Sequence, residues 1–270
     1  MVRFDEIGYW SELKLEIVRK YAAAYSSILS RQPGLAHVYI DAFAGAGTHI
    51  SRTTGELVAG SPLNALSIQP PFREYHLIDL DGDKVARLRA LVGDRPEVHV
   101  HPGDCNRILL TEVFPRVRRE QARRGLCLLD PYGLHLHWEV VQTAGRMGTL
   151  EIFLNFPIMD MDRNVLWHNP EPVARDDLER MDAFWGDDSW RQVAYDTSLN
   201  LLGYPERTSI ETIVEAYRSR LRDVAGFPYV PDPLPMRNSV NNVVYYLLFA
   251  SPKQTGARIV EEIFSRYRRR

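Results

Sequence analysis

From residue 10 to residue 29 the apolar side chains Leu13, Ile17, Val18, Tyr21, Ala24, Tyr25 and Ile28 recur every three or four positions, with Ser11 and Glu12 near the start and Pro33-Gly34 beyond the end. That spacing places them on one face, so a long amphipathic helix is expected. The pattern then changes. Residues 37–41, His-Val-Tyr-Ile-Asp, read as a short buried strand that runs straight into the turn Ala42-Phe43-Ala44-Gly45-Ala46-Gly47. Further strands are expected over 74–79, ending at Asp79, and over 97–101, ending at Gly103-Asp104. The unbroken apolar run 126–129 suits a central parallel strand buried on both faces, and it stops at Asp130-Pro131-Tyr132-Gly133. A strand over 150–155 ends in Asn155-Phe156-Pro157.

Helices are expected between these strands: 63–68, opened by Ser61-Pro62, then 83–91, an arginine-rich helix after Asp104, and 138–145. Residues 50–60 read as polar and turn-like. Strands alternating with helices argue for a doubly wound parallel sheet. From 158 to about 225 the pattern is helical, with several Trp, Asp and Arg residues and no convincing strand, and it reads as an insertion or lid. The strongest strand signal, 243–249, follows, with 236–238 as a partner strand and a last helix over 257–264. The expected division is a core with its N-terminal helix (1–157), a helical insertion (158–225), and C-terminal strands and helix that complete the core (226–270).

Composition narrows the function classes only a little. The 270 residues are 45% hydrophobic and 25% charged with a formal net charge of -2, ordinary globular values that give no bulk attraction to nucleic acid or acidic membranes. No window approaches the roughly 20 apolar residues of a membrane helix. Cys105 and Cys127 show no CxxC or Cys/His spacing, so the reading is a reducing, cytoplasmic setting with neither disulfide nor structural zinc. The histidines show no metal-ligand spacing either, and no metal is expected. Arg116, Arg118, Arg119, Arg123 and Arg124 fall together, and Arg266, Arg268, Arg269 and Arg270 close the chain. Such clusters could touch phosphates, but the plainer reading is a solvated helix face and a frayed tail.

The chemistry is expected where parallel strands end, because loops converge there. Four strand ends carry suggestive residues in register: Asp41 through Gly47, Asp79, Asp104, and Asp130 through Tyr132. The small residues Ala44, Gly45, Ala46 and Gly47 let the backbone approach a cofactor. A carboxylate at Asp79 is placed for two ribose hydroxyls, and one at Asp104 for an adenine amino group. A dinucleotide dehydrogenase would want Gly-x-Gly-x-x-Gly and an acid about 20 residues on, but position 50 is Ile50 and Asp79 lies too far downstream. S-adenosylmethionine (SAM) fits better, with Asp41, Phe43, Ala44, Gly45, Gly47, Asp79 and Asp104 as its contacts. The fold class expected is therefore a Rossmann-type SAM-dependent methyltransferase, with a mostly parallel seven-stranded sheet.

Asp130, Pro131 and Tyr132 are the candidates for the reacting end: a carboxylate and a backbone carbonyl to hold an exocyclic amine, and a ring to stack on the acceptor. Each of these features also has a plainer reading as a strand exit, a helix cap or a turn. Cys127 reads as a buried hydrophobe, and Cys105 has no evident activating partner.

The chain also resembles a known family, the three-Cys-motif partner (TcmP) proteins of the SAM-dependent methyltransferase-like superfamily. The matching segments span nearly the whole chain: Trp10 through Lys14 with Tyr21 and Tyr25; Tyr39 through Gly47; Gly60-Ser61-Pro62; Leu129 through Gly133; Asn155-Phe156-Pro157; and Phe184-Trp185-Gly186 with Trp190. The resemblance implies a Rossmann-type core and association with a three-Cys-motif protein that looks like a radical-SAM iron–sulfur enzyme. It assigns SAM contacts to Asp41–Gly47 and substrate contacts to Asp130, Pro131 and Tyr132. Nucleic-acid amino-methyltransferases carry two prolines between the acid or amide and the aromatic, and this chain has one. The expected activity is methyl transfer to an amine or heterocycle of a nucleobase, nucleoside or related small metabolite. The alternatives are an accessory role to the radical-SAM partner and a DNA or RNA base methyltransferase.

Overall fold

The computed structural model describes residues 5–167, 172–196, 206–238 and 240–268. A seven-stranded sheet runs through its centre: β1 (Ala36–Asp41), β2 (Glu74–Asp79), β3 (Val98–Pro102), β4 (Arg123–Leu129), β5 (Leu150–Phe156), β6 (Leu234–Arg237) and β7 (Val243–Ala250). The spatial order is β3-β2-β1-β4-β5-β7-β6. The ladders from β3 to β5 are parallel, whereas β7 pairs antiparallel with both β5 and β6. The sheet is thus mixed. It departs from the dinucleotide-binding order 3-2-1-4-5-6 by the reversed strand β7 wedged next to β5.

Ten helices accompany the sheet among the described residues: α1 (Tyr9–Leu29), α2 (Ser61–Leu66), α3 (Gly82–Val92), α4 (Cys105–Ile108), α5 (Trp138–Met147), α6 (Ile158–Asn164), α7 (Arg175–Trp185), α8 (Trp190–Ala194), α9 (Ile210–Asp223) and α10 (Gln254–Arg268). Strand alternation sorts the core into two layers. Val38, Ile40, Cys127, Leu129, Ile152 and Leu154 face α5 and the helices α6 to α9. Tyr39, Leu77, Leu126, Leu128, Phe153 and Leu247 face α1, α2, α3 and α10. Met181, Trp185, Trp190 and Tyr217, from the expected insertion, lie in the same apolar cluster as the sheet residues.

Three sequence expectations need correction. Residues 50–60 are not merely turn-like: Thr48–Ser51 pairs parallel with Glu6–Ile7 and antiparallel with Leu57–Ala59, a small separate sheet. The arginine-rich segment is not one helix. α4 passes into a π-turn at Leu109–Val113 and a 3-10 turn at Phe114–Arg116, and Arg123 and Arg124 open β4. Pro115 lacks the N–H a continuing helix would need. Within the insertion, Tyr195–Asp196 and Glu206–Arg207 form a two-stranded antiparallel pair. Arg269 and Arg270 lie outside the described residues, as do 168–171 and 197–205 of the insertion. No helix among the described residues is long and apolar enough to cross a membrane.

Candidate functional site

β1 delivers Asp41 to the carboxyl edge of the sheet fully buried. Its Oδ1 accepts the Phe43 N–H at 3.3 Å, and Oδ2 finds no hydrogen-bond partner. Burial pushes this carboxyl up to about 7, against the lowering pull of the Ser61 hydroxyl and the Phe43 N–H, while the nearby Asp130 and Asp79 charges push it further. The chain then turns sharply: Gly45 and Gly47 have φ of +62° and +83°, conformations that strain residues carrying a Cβ. Gly60 completes the loop from outside. Its N–H donates to the Gly47 carbonyl at 2.8 Å, and a Cβ on Gly60 would sit 2.9 Å from that same oxygen. Gly60-Ser61-Pro62 is therefore both the start of α2 and a clamp on the glycine turn.

Asp79, at the end of β2, braces this loop. Its Oδ2 accepts the Gly45 N–H at 2.7 Å and its Oδ1 accepts the Asp81 N–H at 2.9 Å. A carboxylate offers about four acceptor sites, so two backbone bonds leave capacity for ligand hydroxyls. Asp81 caps α3, accepting from the Asp83 and Lys84 N–H groups. Asp104 caps α4, and its Oδ1 takes both the Asn106 N–H at 2.9 Å and the Asn106 Nδ2 at 3.0 Å. Both carboxylates that were read as ligand contacts are thus also structural ties.

A cleft of about 970 Å³ opens over these strand ends. Phe43, Asp79, Asp104, Asn106 and Tyr132 line it, and α7 contributes Asp176, Glu179 and Arg180 from across the opening. Of the residues expected from sequence, Phe43, Asp79, Asp104 and Tyr132 meet in this space. Asp41, Ala44, Gly45 and Gly47 form the loop behind it and are not part of its lining, and neither are Asp130 and Pro131. Tyr132 is 58% exposed, with the Lys84 ammonium 5.1 Å from its ring centroid. Lys84 also bonds Asp5 at 2.6 Å, so the ring is steadied from one side by a cation tied to the N-terminal segment.

At the reacting end the structure adds a partner that the sequence reading lacked. Lys14, 6% exposed on α1, forms an ion pair with Asp130 Oδ2 and lies 5.2 Å from the Tyr245 ring centroid. The Tyr245 hydroxyl donates to the Trp10 carbonyl at 3.0 Å, fixing the same helix from β7. One oxygen of the Asp130 carboxylate is therefore spent on Lys14. Next to it, one step beyond the Leu129–Leu154 register pair, stands Asn155, 9% exposed with an unpartnered Oδ1. Gly133 turns with φ +62°, where a Cβ would meet the Asp160 carboxylate at 2.7 Å. Sequence reasoning missed Lys14, Asn106 and Lys84 as contributors. Lys14 carried a usable signal, a lone lysine on the apolar stripe formed with Ile17, Val18 and Tyr21.

Burial pushes the Cys105 thiol up to about 12 and the Cys127 thiol well up, so both are protonated at neutral pH and poor nucleophiles. Among the described residues no group of three or more His, Cys, Asp or Glu side chains could hold a metal ion. The arginine cluster does not face the cleft as a patch: Arg123 pairs with Glu74 at 2.5 Å, and Arg124 donates to the Arg123 carbonyl.

No family model matches the chain, and no curated protein matches it. Among solved structures it is similar to a DUF519-family protein from Legionella pneumophila str. Philadelphia 1, with 11% identity, 94% of this chain and 91% of that chain covered, and a TM-score of 0.55. It is also similar to the N-methyltransferase NodS from Bradyrhizobium japonicum WM9 (10% identity, 90% and 97% covered, TM-score 0.42). A third is an S-adenosylmethionine dependent methyltransferase from Mesorhizobium loti (12% identity, 84% and 97% covered, TM-score 0.39). The Legionella likeness extends to the fold alone: this chain is a Rossmann-type α/β protein built on a mixed seven-stranded sheet.

Proposed function

We propose that the chain is a SAM-dependent methyltransferase acting on an amine or heterocycle of a nucleobase, nucleoside or related small metabolite. The observation that carries the reading is the glycine turn clasped by Asp79 through the Gly45 N–H, standing behind a cleft lined by Phe43, Asp79, Asp104 and Tyr132. The fit is chemical: a sharp turn that Gly45 and Gly47 permit, two carboxylates at successive strand ends, and a cleft large enough for a nucleoside with an amino-acid tail. In this reading Asp79 takes the ribose hydroxyls, Asp104 the adenine amino group, and the Asp41–Gly47 loop the amino-acid end. The cofactor supplies a methyl group on a sulfonium leaving group, so the protein's task is to orient the acceptor and keep water out. Tyr132 is the ring against which a flat acceptor stacks. Calorimetric titration with SAM and S-adenosylhomocysteine tests the reading: the native protein should bind both, and Gly45→Val or Asp79→Ala should remove most of the affinity. Native protein that binds neither contradicts it.

A second reading is favoured by the Lys14–Asp130 ion pair, which takes one oxygen of the carboxylate assigned to an amine acceptor. In it the chain is a methyltransferase-like accessory protein to a radical-SAM three-Cys-motif partner, as the TcmP resemblance implies, binding SAM without transferring its methyl group. Transfer of radiolabel from methyl-labelled SAM to a nucleoside or nucleic acid by the isolated protein would count against it. Nucleic acid as the acceptor predicts salt-dependent binding of DNA or RNA.

A further inference from the structure

Asn106 is 7% exposed and spends its amide on two separate pieces of the cleft wall. Its Nδ2 donates to Asp104 Oδ1 at 3.0 Å and to the His135 carbonyl at 2.9 Å, while its Oδ1 accepts the His137 N–H at 2.8 Å. Its own backbone N–H adds a second bond to Asp104 Oδ1 at 2.9 Å. Asp104 and the loop carrying Leu134, His135 and His137 both line the cleft, and they come from β3 and β4, strands that are not neighbours. With Oδ1 held twice by residue 106, the Asp104 carboxylate cannot rotate freely, and Oδ2 is the oxygen left to a ligand.

Resting on the SAM reading above, we propose that Asn106 is a positioning residue that sets base discrimination: by fixing the Asp104 carboxylate and the 134–137 loop across the base-binding end of the cleft, it makes the site prefer a 6-amino purine to a 6-oxo purine. The physical ground is that a fixed acceptor rewards an amino donor and repels a carbonyl oxygen, whereas a mobile carboxylate can swing away from the carbonyl. The role is indirect, since the amide is consumed by protein partners.

The test is calorimetric titration of native and variant full-length protein with S-adenosylhomocysteine and with S-inosylhomocysteine, which carries oxygen in place of the 6-amino group. The native protein should prefer the amino form by about 30-fold, and Asn106→Ala should weaken that form about tenfold while leaving the oxo form nearly unchanged, so that the ratio collapses. In an Asp104→Ala background, adding Asn106→Ala should leave the ratio unmoved, because the two act as one unit. Asn106→Asp keeps the shape, loses both Nδ2 donations and sets a second negative charge against Asp104, so it should collapse the ratio equally, and the unfolding midpoint of each ligand-free variant checks that it folds. If affinity falls for both ligands by the same factor with the ratio intact, Asn106 is only structural and the proposal is overturned. Native protein that binds both forms equally overturns it too. Failure of the native protein to bind either one overturns the SAM reading and this inference with it.

Discussion

The two halves of the carboxyl edge are built differently. Over β2 and β3, the carboxylates are held by groups of the loops at the strand ends: Asp79 by the Gly45 and Asp81 N–H groups, Asp104 by Asn106. Over β4 and β5, the polar groups answer to distant elements, with Asp130 paired to Lys14 on α1 and Asn155 Oδ1 buried without a partner. The first half is tied together through the loops of neighbouring strands, and in the SAM reading it is the cofactor half. The second is held by tertiary contacts, and its chemistry is set by what α1 and β7 bring to it.

The largest effect is expected where the halves meet, at Asp41. Its carboxyl is raised from the ordinary 3.8 to about 7 by burial, so the folded state holds a proton that the unfolded state releases. Stability tied to this group is therefore fully present below pH 4 and is lost as pH rises through 7. Asp41→Asn should remove that loss, flattening the stability profile between pH 4 and 7 and gaining at most roughly 4 kcal/mol at pH 8, measured by urea unfolding without ligand. An unchanged slope would mean that Asp41 is solvated. Next comes Lys14→Met, which strands Asp130 and should cost about 3 kcal/mol; pairing it with Asp130→Asn should recover most of the loss. No recovery would show that Lys14 acts through its stem on Tyr245 instead.

Cofactor affinity should separate the halves. Asp79→Ala should weaken S-adenosylhomocysteine binding by about 100-fold, because the carboxylate both braces Gly45 and faces the cleft. Asp130→Asn should change it less than about threefold, the acceptor half having little to do with the nucleoside. Equal effects would erase the distinction. The smallest change is expected on α7: Arg175→Ala breaks an exposed pair with Glu179 and should shift stability by no more than about 0.5 kcal/mol with no change in ligand affinity.

The contrast also explains what the chain reveals without a structure. The strands ending at Asp41, Asp79, Asp104 and Asp130 were legible because each carries strand-like apolar positions, alternating in 97–101 and continuous in 126–129, and stops at a turn or cap residue; the glycine turn was legible because Gly45 and Gly47 follow β1 so closely. The pairing of Glu6–Ile7 with Thr48–Ser51 was not legible, since four- and two-residue strands far apart in sequence carry no periodic signal. The arginines at 123 and 124 read as helix because charge suggested a solvated face, but Arg123 is neutralised by Glu74 and can open an interior strand. Asn106 entered the site through contacts to His135 and His137 across the fold, which spacing cannot encode, whereas Lys14 left only the mark of a lysine on the apolar stripe of α1.

The central claim is that the Asp79-clasped glycine turn binds SAM, and titration of the native protein and Asp79→Ala with S-adenosylhomocysteine tests it most directly. The account predicts a single saturable site in the native protein and about a 100-fold weaker one in the variant, with the unfolding midpoint of the ligand-free variant within a few degrees of native. No saturable binding by the native protein, or equal binding by the two, would contradict it.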